Sequence, residues 1–385
     1  MSNVLARRTF VRGAAAAVGC GLMAPLLAAC GGSAAPIASP AASSAGGTAA
    51  AGAAGKPAAP SVSGSAAASP AASASSSAAA KAAVKVSYAL ASINGLHYVA
   101  TIGREKPDLP ARRGVQFDLV ETTNSPNAMN AMVGGSVNFA AVTPDTAWPA
   151  QDKAPDVKQV MPVADGTPYA VIAQPDVKKA ADLKGKTFGA SAVKGGADTT
   201  AIMVMMLENG VPPGAYTIVQ AGNISERTSA MKAKAIQALA QLEPQATALR
   251  DAGFPEIDNA NNYPALKGVH TIVLTAKQSW YQANAELAAN FLRAWNDITK
   301  WIYDPANKDQ VLAITKKAMS ASSDKAAENT YNLHVGTKSV TPDPQFNPKY
   351  MQQFIDNLKR TGASNLPADP MKYVDGSLVQ KALAA

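Results

Sequence analysis

Four stretches of the sequence group side chains able to grip a small polar molecule. Ser92-Ile93-Asn94-Gly95-Leu96-His97-Tyr98 offers a hydroxyl, an amide and an imidazole beside an aromatic ring. Thr143-Pro144-Asp145-Thr146-Ala147-Trp148 offers a hydroxyl, a carboxylate and an indole. Ser191-Ala192-Val193-Lys194-Gly195-Gly196-Ala197-Asp198-Thr199-Thr200 sets two glycines before a helix start. Bare backbone N–H groups and the helix dipole there favour an anion or a polar oxygen, and Lys194 adds charge. In Gln241-Leu242-Glu243-Pro244 a carboxylate leaves a strand just before a helix, placed to accept hydrogen bonds from an amine or a ring N–H. Each stretch also has a plainer reading. Ser92 and Asn94 build a turn and cap, His97 and Tyr98 lie on a packed helix face, and Thr143 and Asp145 are caps. Asp198 is an N-cap that occupies the donors of its own helix, with Thr199 behind it, and Glu243 caps or ion-pairs at the surface. Residue types alone leave both readings open.

Other chemistries are excluded by composition. The cysteines are Cys20 and Cys30, both near the N-terminus, so the body has no disulfide, zinc–thiolate site or cysteine nucleophile. His97, His270 and His334 have no metal-ligand spacing, and no Gly-x-Ser-x-Gly elbow or P-loop is present. No catalytic residue, metal or cofactor is expected. The formal charge is +8, and without Arg7, Arg8 and Arg12 it falls to +5, with 32 Lys+Arg against 27 Asp+Glu. No arginine-rich run or basic helix with interleaved aromatics appears, which argues against a nucleic-acid partner.

The elements that must position the four stretches alternate. Strands are expected at Val84–Leu90, Val115–Val120, Val137–Val142, Val157–Val163 and Tyr169–Ala173, with helices at Leu96–Glu105 and Asn127–Val133. The pattern repeats with strands at Lys186–Ala190, Tyr216–Gln220, Ala235–Leu239 and Thr271–Leu274, separated by helices at Asp198–Asn209, Ile224–Lys234 and Pro244–Ala252. Mostly helical segments follow, over Trp280–Tyr303, Ala306–Met319, Ser323–Val335 and Pro348–Lys359. Short strands alternating with helices make an α/β chain with mostly parallel sheets covered on both faces. Phe291, Trp295 and Trp301 sit at helical spacing and are expected in the core.

The N-terminus reads as an export signal. Arg7, Arg8 and Arg12 precede an apolar Ala-rich run from Gly13 to Ala29, too short and small-residue-rich for a membrane span. Arg7-Arg8-Thr9-Phe10-Val11 is similar to a twin-arginine signal, with Sec export the competing reading, and Leu27-Ala28-Ala29-Cys30-Gly31 resembles a lipobox. Residues 1–29 are thus a signal peptide, and Cys30 is the lipid acceptor that ties the chain to a membrane. From 30 to 83 the chain is almost all Ala, Ser, Gly and Pro, with Lys56 and Lys81 its only charges. Such a segment buries too little to offset the entropy of ordering and acts as a tether with a coil reach of about 40 Å.

Further motifs carry a family resemblance. They are Asp182-Leu183-Lys184-Gly185-Lys186-Thr187-Phe188-Gly189, the Gly195-Gly196 loop with its helix, and Gly210-Val211-Pro212-Pro213. Ala235-Ile236-Gln237-Ala238-Leu239-Ala240-Gln241-Leu242-Glu243-Pro244 and Tyr373-Val374-Asp375-Gly376-Ser377-Leu378 complete the set. Together they resemble the nitrate/sulfonate/thiamine-precursor (SsuA-like) group of ABC-transporter solute-binding proteins. Lys234 and Gln237 stand where that family usually has Gly-x-x-Asp-Ala, which bears on ligand identity. The resemblance implies a two-lobed type 2 periplasmic binding fold with a ligand cleft between lobes. It places first-lobe residues at 84–180, the second lobe at 181–268, and a return with C-terminal helices at 269–385. The implied partners are a small-molecule solute, an ABC permease and its ATPase, and the chain is expected to be a monomer in the cell envelope. On that cleft, carboxylates at 145, 198 and 243 against one lysine lean away from nitrate or a simple sulfonate and towards an organic ligand with N–H donors and a flat ring, such as a pyrimidine, stacked on Tyr98 or Trp148. Two alternatives are a ligand-sensing partner of a membrane receptor, and an enzyme on the scaffold of thiamine-pyrimidine synthesis. The absent cysteine-rich iron motif counts against the enzyme.

Overall fold

The computed structural model of the chain describes residues 84–384, so the expectations for the signal segment, Cys30 and the tether fall outside the described residues. Within them the strands, in chain order, are β1 (Val84–Leu90), β2 (Val115–Glu121), β3 (Phe139–Val142), β4 (Val157–Asp165) and β5 (Ala170–Ala173). Then come β6 (Thr187–Ala190), β7 (Thr217–Gln220), β8 (Ala238–Gln241), β9 (Glu256–Asn259) and β10 (His270–Lys277). They form two five-stranded sheets, ordered β2-β1-β3-β10-β4 and β7-β6-β8-β5-β9. In the first, β1 runs parallel to β2 and β3, while β10 runs antiparallel to β3 and β4. In the second, β6 runs parallel to β7 and β8, while β5 runs antiparallel to β8 and β9. Each sheet is therefore mixed, with every strand but one pointing the same way, and the odd strand follows a crossover between sheets. The two lobes are two copies of one plan.

The crossover corrects one boundary. The segment 84–180, expected wholly in the first lobe, contains β5, which pairs in the second sheet. The chain leaves the first lobe between Asp165 and Ala170, not at 180, and returns between Asn259 and His270. A four-residue apolar run carries no mark of the sheet that will take it, because burial on both faces erases the alternation that would orient it.

Parallel neighbours need crossovers, and the helices that supply them bury one face on the sheets. The helix Ala285–Tyr303 covers the first sheet with Phe291 and Trp295, one turn apart and both buried. The Phe291 ring lies 4.7 Å from Phe139 and 4.6 Å from Phe117, centroid to centroid. Each such ring contributes about 1.5–3 kcal/mol by leaving water. Trp301, nearer the helix end, is only half-buried at the margin of this cluster. The helical pattern over 280–303 is split at Asn284 into Gln278–Ala283 and Ala285–Tyr303. The lobes touch directly: Thr146 Oγ1 donates to the Gly195 carbonyl at 3.1 Å, and Asn329 Nδ2 donates to Thr247 Oγ1 at 3.0 Å.

Candidate functional site

The carboxyl ends of β1 and β2 face those of β6 and β7 across a small cavity of about 30 Å³. Its first-lobe wall is Ser92, Asn94 and His97 after β1, with Thr123 and Ser125 after β2. Its second-lobe wall is Ser191, Ala197 and Asp198 after β6, with Asn223 and Arg227 after β7. This is where open α/β sheets hold ligands. Three α-helices begin at the cavity: Ser125–Val133, capped by Asn124; Ile224–Lys232, capped by Asn223; and Ala197–Glu208. The last has Gly196 at its N-cap and no side-chain cap, and Ala197 and Asp198 of its uncapped first turn line the cavity. Gly195 (φ +70°) makes the turn, and a Cβ there would lie 2.8 Å from Thr146 Oγ1 of the other lobe.

Asp198 does not cap its helix. It is buried, and its Oδ1 accepts from the Ser191 hydroxyl and its Oδ2 from the Ser191 N–H, both at 2.7 Å. Oδ2 also pairs with the guanidinium of Arg227, a cavity residue absent from the four expected stretches. Arg227 donates to the Ala240 carbonyl at 3.3 Å, yet its Nε–H has no partner among the described residues. A buried guanidinium N–H left unmatched costs free energy until an acceptor reaches it. Nothing local announces Arg227, which sits one turn into a polar helix. Asn223 was readable, because it follows a strand and forms a capping box with Glu226.

The other expected residues divide. Asn94 does cap: its Oδ1 accepts from the Leu96 N–H at 2.8 Å, and its Nδ2 donates to the Ser92 carbonyl at 3.1 Å. His97 lies in the wall with Nδ1 3.2 Å from the Tyr88 hydroxyl, and burial lowers its pKa to about 3, so it stays neutral. Tyr169, also in the wall, keeps its proton because burial and then the nearby Asp198 charge raise its pKa. Tyr98 turns into the first-lobe core, where its hydroxyl pairs with Thr315, and it offers no stacking face to the cavity. Thr143 is fully buried and bonds Thr146 Oγ1 at 2.9 Å. Asp145, Trp148, Lys194, Gly195 and Thr199 line a separate groove of about 1070 Å³, which the Thr146–Gly195 contact also borders. Gly196 lines neither, held close to Asp198 and Ser191.

Glu243 stays within the second lobe. Its Oε2 accepts from the Thr247 N–H at 3.0 Å and hydroxyl at 2.7 Å, and its Oε1 pairs with Arg250. The sequence therefore pointed to the loops after β1, β3, β6 and β8, whereas the cavity is built after β1, β2, β6 and β7. This removes the basis of the carboxylate count: Glu243 and Asp145 are elsewhere, and Asp198 is neutralised by Arg227. What remains is a wall of hydroxyls, neutral imidazole, helix starts and one guanidinium with a spare N–H.

Two sheets of one order, joined by paired crossovers around an interlobe cavity, define a two-lobed type 2 periplasmic binding fold. The sequence matches the NMT1/THI5-like family over residues 111–308, just over half of the chain, and the chain belongs to that family. Among similar solved structures is the alkanesulfonate-binding protein SsuA from Xanthomonas axonopodis pv. citri bound to MOPS. It aligns at TM-score 0.59 and 14% identity, covering 78% of this chain and 97% of that one. The periplasmic nitrate-binding protein NrtA from Synechocystis PCC 6803 aligns at 0.60 and 14%, covering 78% and 88%. The ligand-binding component of an ABC-type import system from Staphylococcus aureus, with zinc bound, aligns at 0.62 and 15%, covering 78% and 99%. At such identities the likeness is one of fold. No curated protein sequence matches the chain significantly.

Proposed function

We propose that the chain is the solute-binding protein of an ABC importer, working outside the cytoplasm, and that its solute carries acceptor oxygens. The observation that carries the ligand class is the surplus of donors at the cavity: the unmatched Arg227 Nε–H beside an uncapped helix start. The fold neighbours that bind an alkanesulfonate and nitrate support the same reading. No residue is assigned a catalytic role.

About 30 Å³ holds a water or two, so a solute enters only when the lobes part. Binding then works by population shift, with contacts to both walls made only on closure. The first lobe offers Ser92, Asn94, Thr123 and Ser125; the second closes Arg227 and the start of Ala197–Glu208 onto the oxygens. The closed form is what a permease and its ATPase would receive. Small-angle scattering with and without saturating solute tests this: compaction is expected, and an unchanged radius of gyration refutes closure.

Lipidation at Cys30 would keep a monomeric receptor near its permease on the tether of residues 30–83. The Leu27-Ala28-Ala29-Cys30 motif supports that placement. Cys30→Ser is expected to move the protein from the membrane fraction to the soluble one; retention in the membrane would refute a lipid anchor.

A further inference from the structure

The groove of about 1070 Å³ shares no lining residue with the cavity. One wall is the first-lobe helix Pro144–Lys153, and the other is second-lobe side chains including Met203, Tyr216 and Ile218. Its size and largely apolar lining are those of a small-molecule pocket. Of the buried side-chain atoms without a hydrogen-bond partner among the described residues, three belong to residues of this groove: Asp145 Oδ1, Trp148 Nε1 and Tyr216 Oη. Buried polar atoms are normally paired, so three at one groove mark an unmet demand.

The demand has a definite sign. Asp145 and Trp148 are three residues apart on one helix and share a face. Trp148 Nε1–H requires an acceptor, while Asp145 Oδ1 requires a donor. A cation would satisfy Asp145 and leave the indole unmatched; an anion would satisfy the indole and be repelled by Asp145. Tyr216, from the opposite lobe, serves either way. Burial raises the Asp145 carboxyl pKa above its usual value, and the nearby Thr143 hydroxyl and backbone N–H groups of 145 and 146 offset part of this without bonding Oδ1. That state suits a neutral donor. The charged side chains at the groove, Asp145 and Asp152 against Lys153 and Lys194, balance and impose no net preference.

We infer that this groove is a second ligand site, taking a neutral apolar molecule that carries an amide. The amide carbonyl accepts from Trp148, its N–H donates to Asp145, and the apolar body lies against Met203 and Ile218, with Tyr216 across from the amide. The three polar atoms are covered when the groove is empty, so side-chain rotation must accompany binding to turn them to the occupant. Because its walls come from both lobes, an occupant bridges them beside the Thr146–Gly195 contact.

The test is calorimetric titration of the full chain with a matched series: 3-phenylpropanamide, methyl 3-phenylpropanoate, 3-phenylpropanoate and 3-phenylpropylamine. The amide is expected to bind, with each relative weaker by about tenfold or more, the cost of one lost matched hydrogen bond in a buried site. Met203→Trp, which fills the groove from the second lobe, is expected to abolish amide binding. Tyr216→Phe is expected to weaken it several-fold with an unchanged circular dichroism spectrum. Equal binding of amide and ester, amide binding untouched by Met203→Trp, or no heat at millimolar amide would each overturn the proposal. Oxyanion binding in the central cavity is read separately, so its failure would leave this result standing.

Discussion

The two lobes share one strand order but bring unlike groups to the cavity between them. The first presents hydroxyls, an amide and the neutral His97; the second presents the Asp198–Arg227 pair and an uncapped helix start. A common plan thus fixes where the walls stand, and the helix residues behind each strand end decide their charge. On this account the second lobe recognises the solute, and the first closes over it.

The sharpest way to break that division is Arg227→Met. Removing one partner of a buried ion pair leaves Asp198 uncompensated, which costs about 3–5 kcal/mol. Oxyanion binding is expected to vanish with it. Denaturant unfolding reads the first effect and calorimetry the second; a stable variant that still binds would shift recognition to the other lobe.

Acid should act through the first lobe. Burial lowers the pKa of both His97 and His334 to about 3, well below the unfolded value near 6.5. As pH falls through 6.5 the unfolded chain takes up protons that the folded chain refuses. Stability is therefore full above pH 6.5 and lost below it, at up to about 1.4 kcal/mol per histidine per pH unit. Thermal melts from pH 7.5 to 5 check this, and a flat profile would show that neither imidazole is held neutral.

Much of the fold was legible in the sequence. Apolar runs bounded by turn residues marked the strands, and Thr143 stands at a helix N-cap as expected. β9 was not legible, because Glu256–Asn259 has only one apolar residue, Ile257. The site was half legible. The Ser92–His97 and Ser191–Asp198 loops reach the cavity. Arg227 was hidden because helical polarity does not say which polar residue points inward. Asp198 was read as a cap because its own partner, 29 residues away, is invisible to local rules.

Smaller changes refine the interlobe contrast. Gly195→Ala puts a side chain at φ +70° and within 2.8 Å of Thr146 Oγ1. The backbone term alone costs about 1–2 kcal/mol, and closure should suffer too, so solute affinity is expected to fall with little change in fold. An unchanged dissociation constant would mean that the Thr146–Gly195 contact plays no part in closing. Glu243→Gln, at the largely buried pair with Arg250 in the same lobe, should cost about 1–3 kcal/mol and leave binding intact. Lost binding there would move the ligand towards β8.

Calorimetric titration of the wild type and Arg227→Lys checks whether Arg227 recognises acceptor oxygens. The ligands are nitrate, methanesulfonate, acetate and a neutral pyrimidine. Saturable one-to-one binding of at least one oxyanion is expected, weakened about tenfold or more by the lysine, which keeps the charge and loses the planar fork. Tight binding of the pyrimidine alone, indifferent to the lysine, would contradict it.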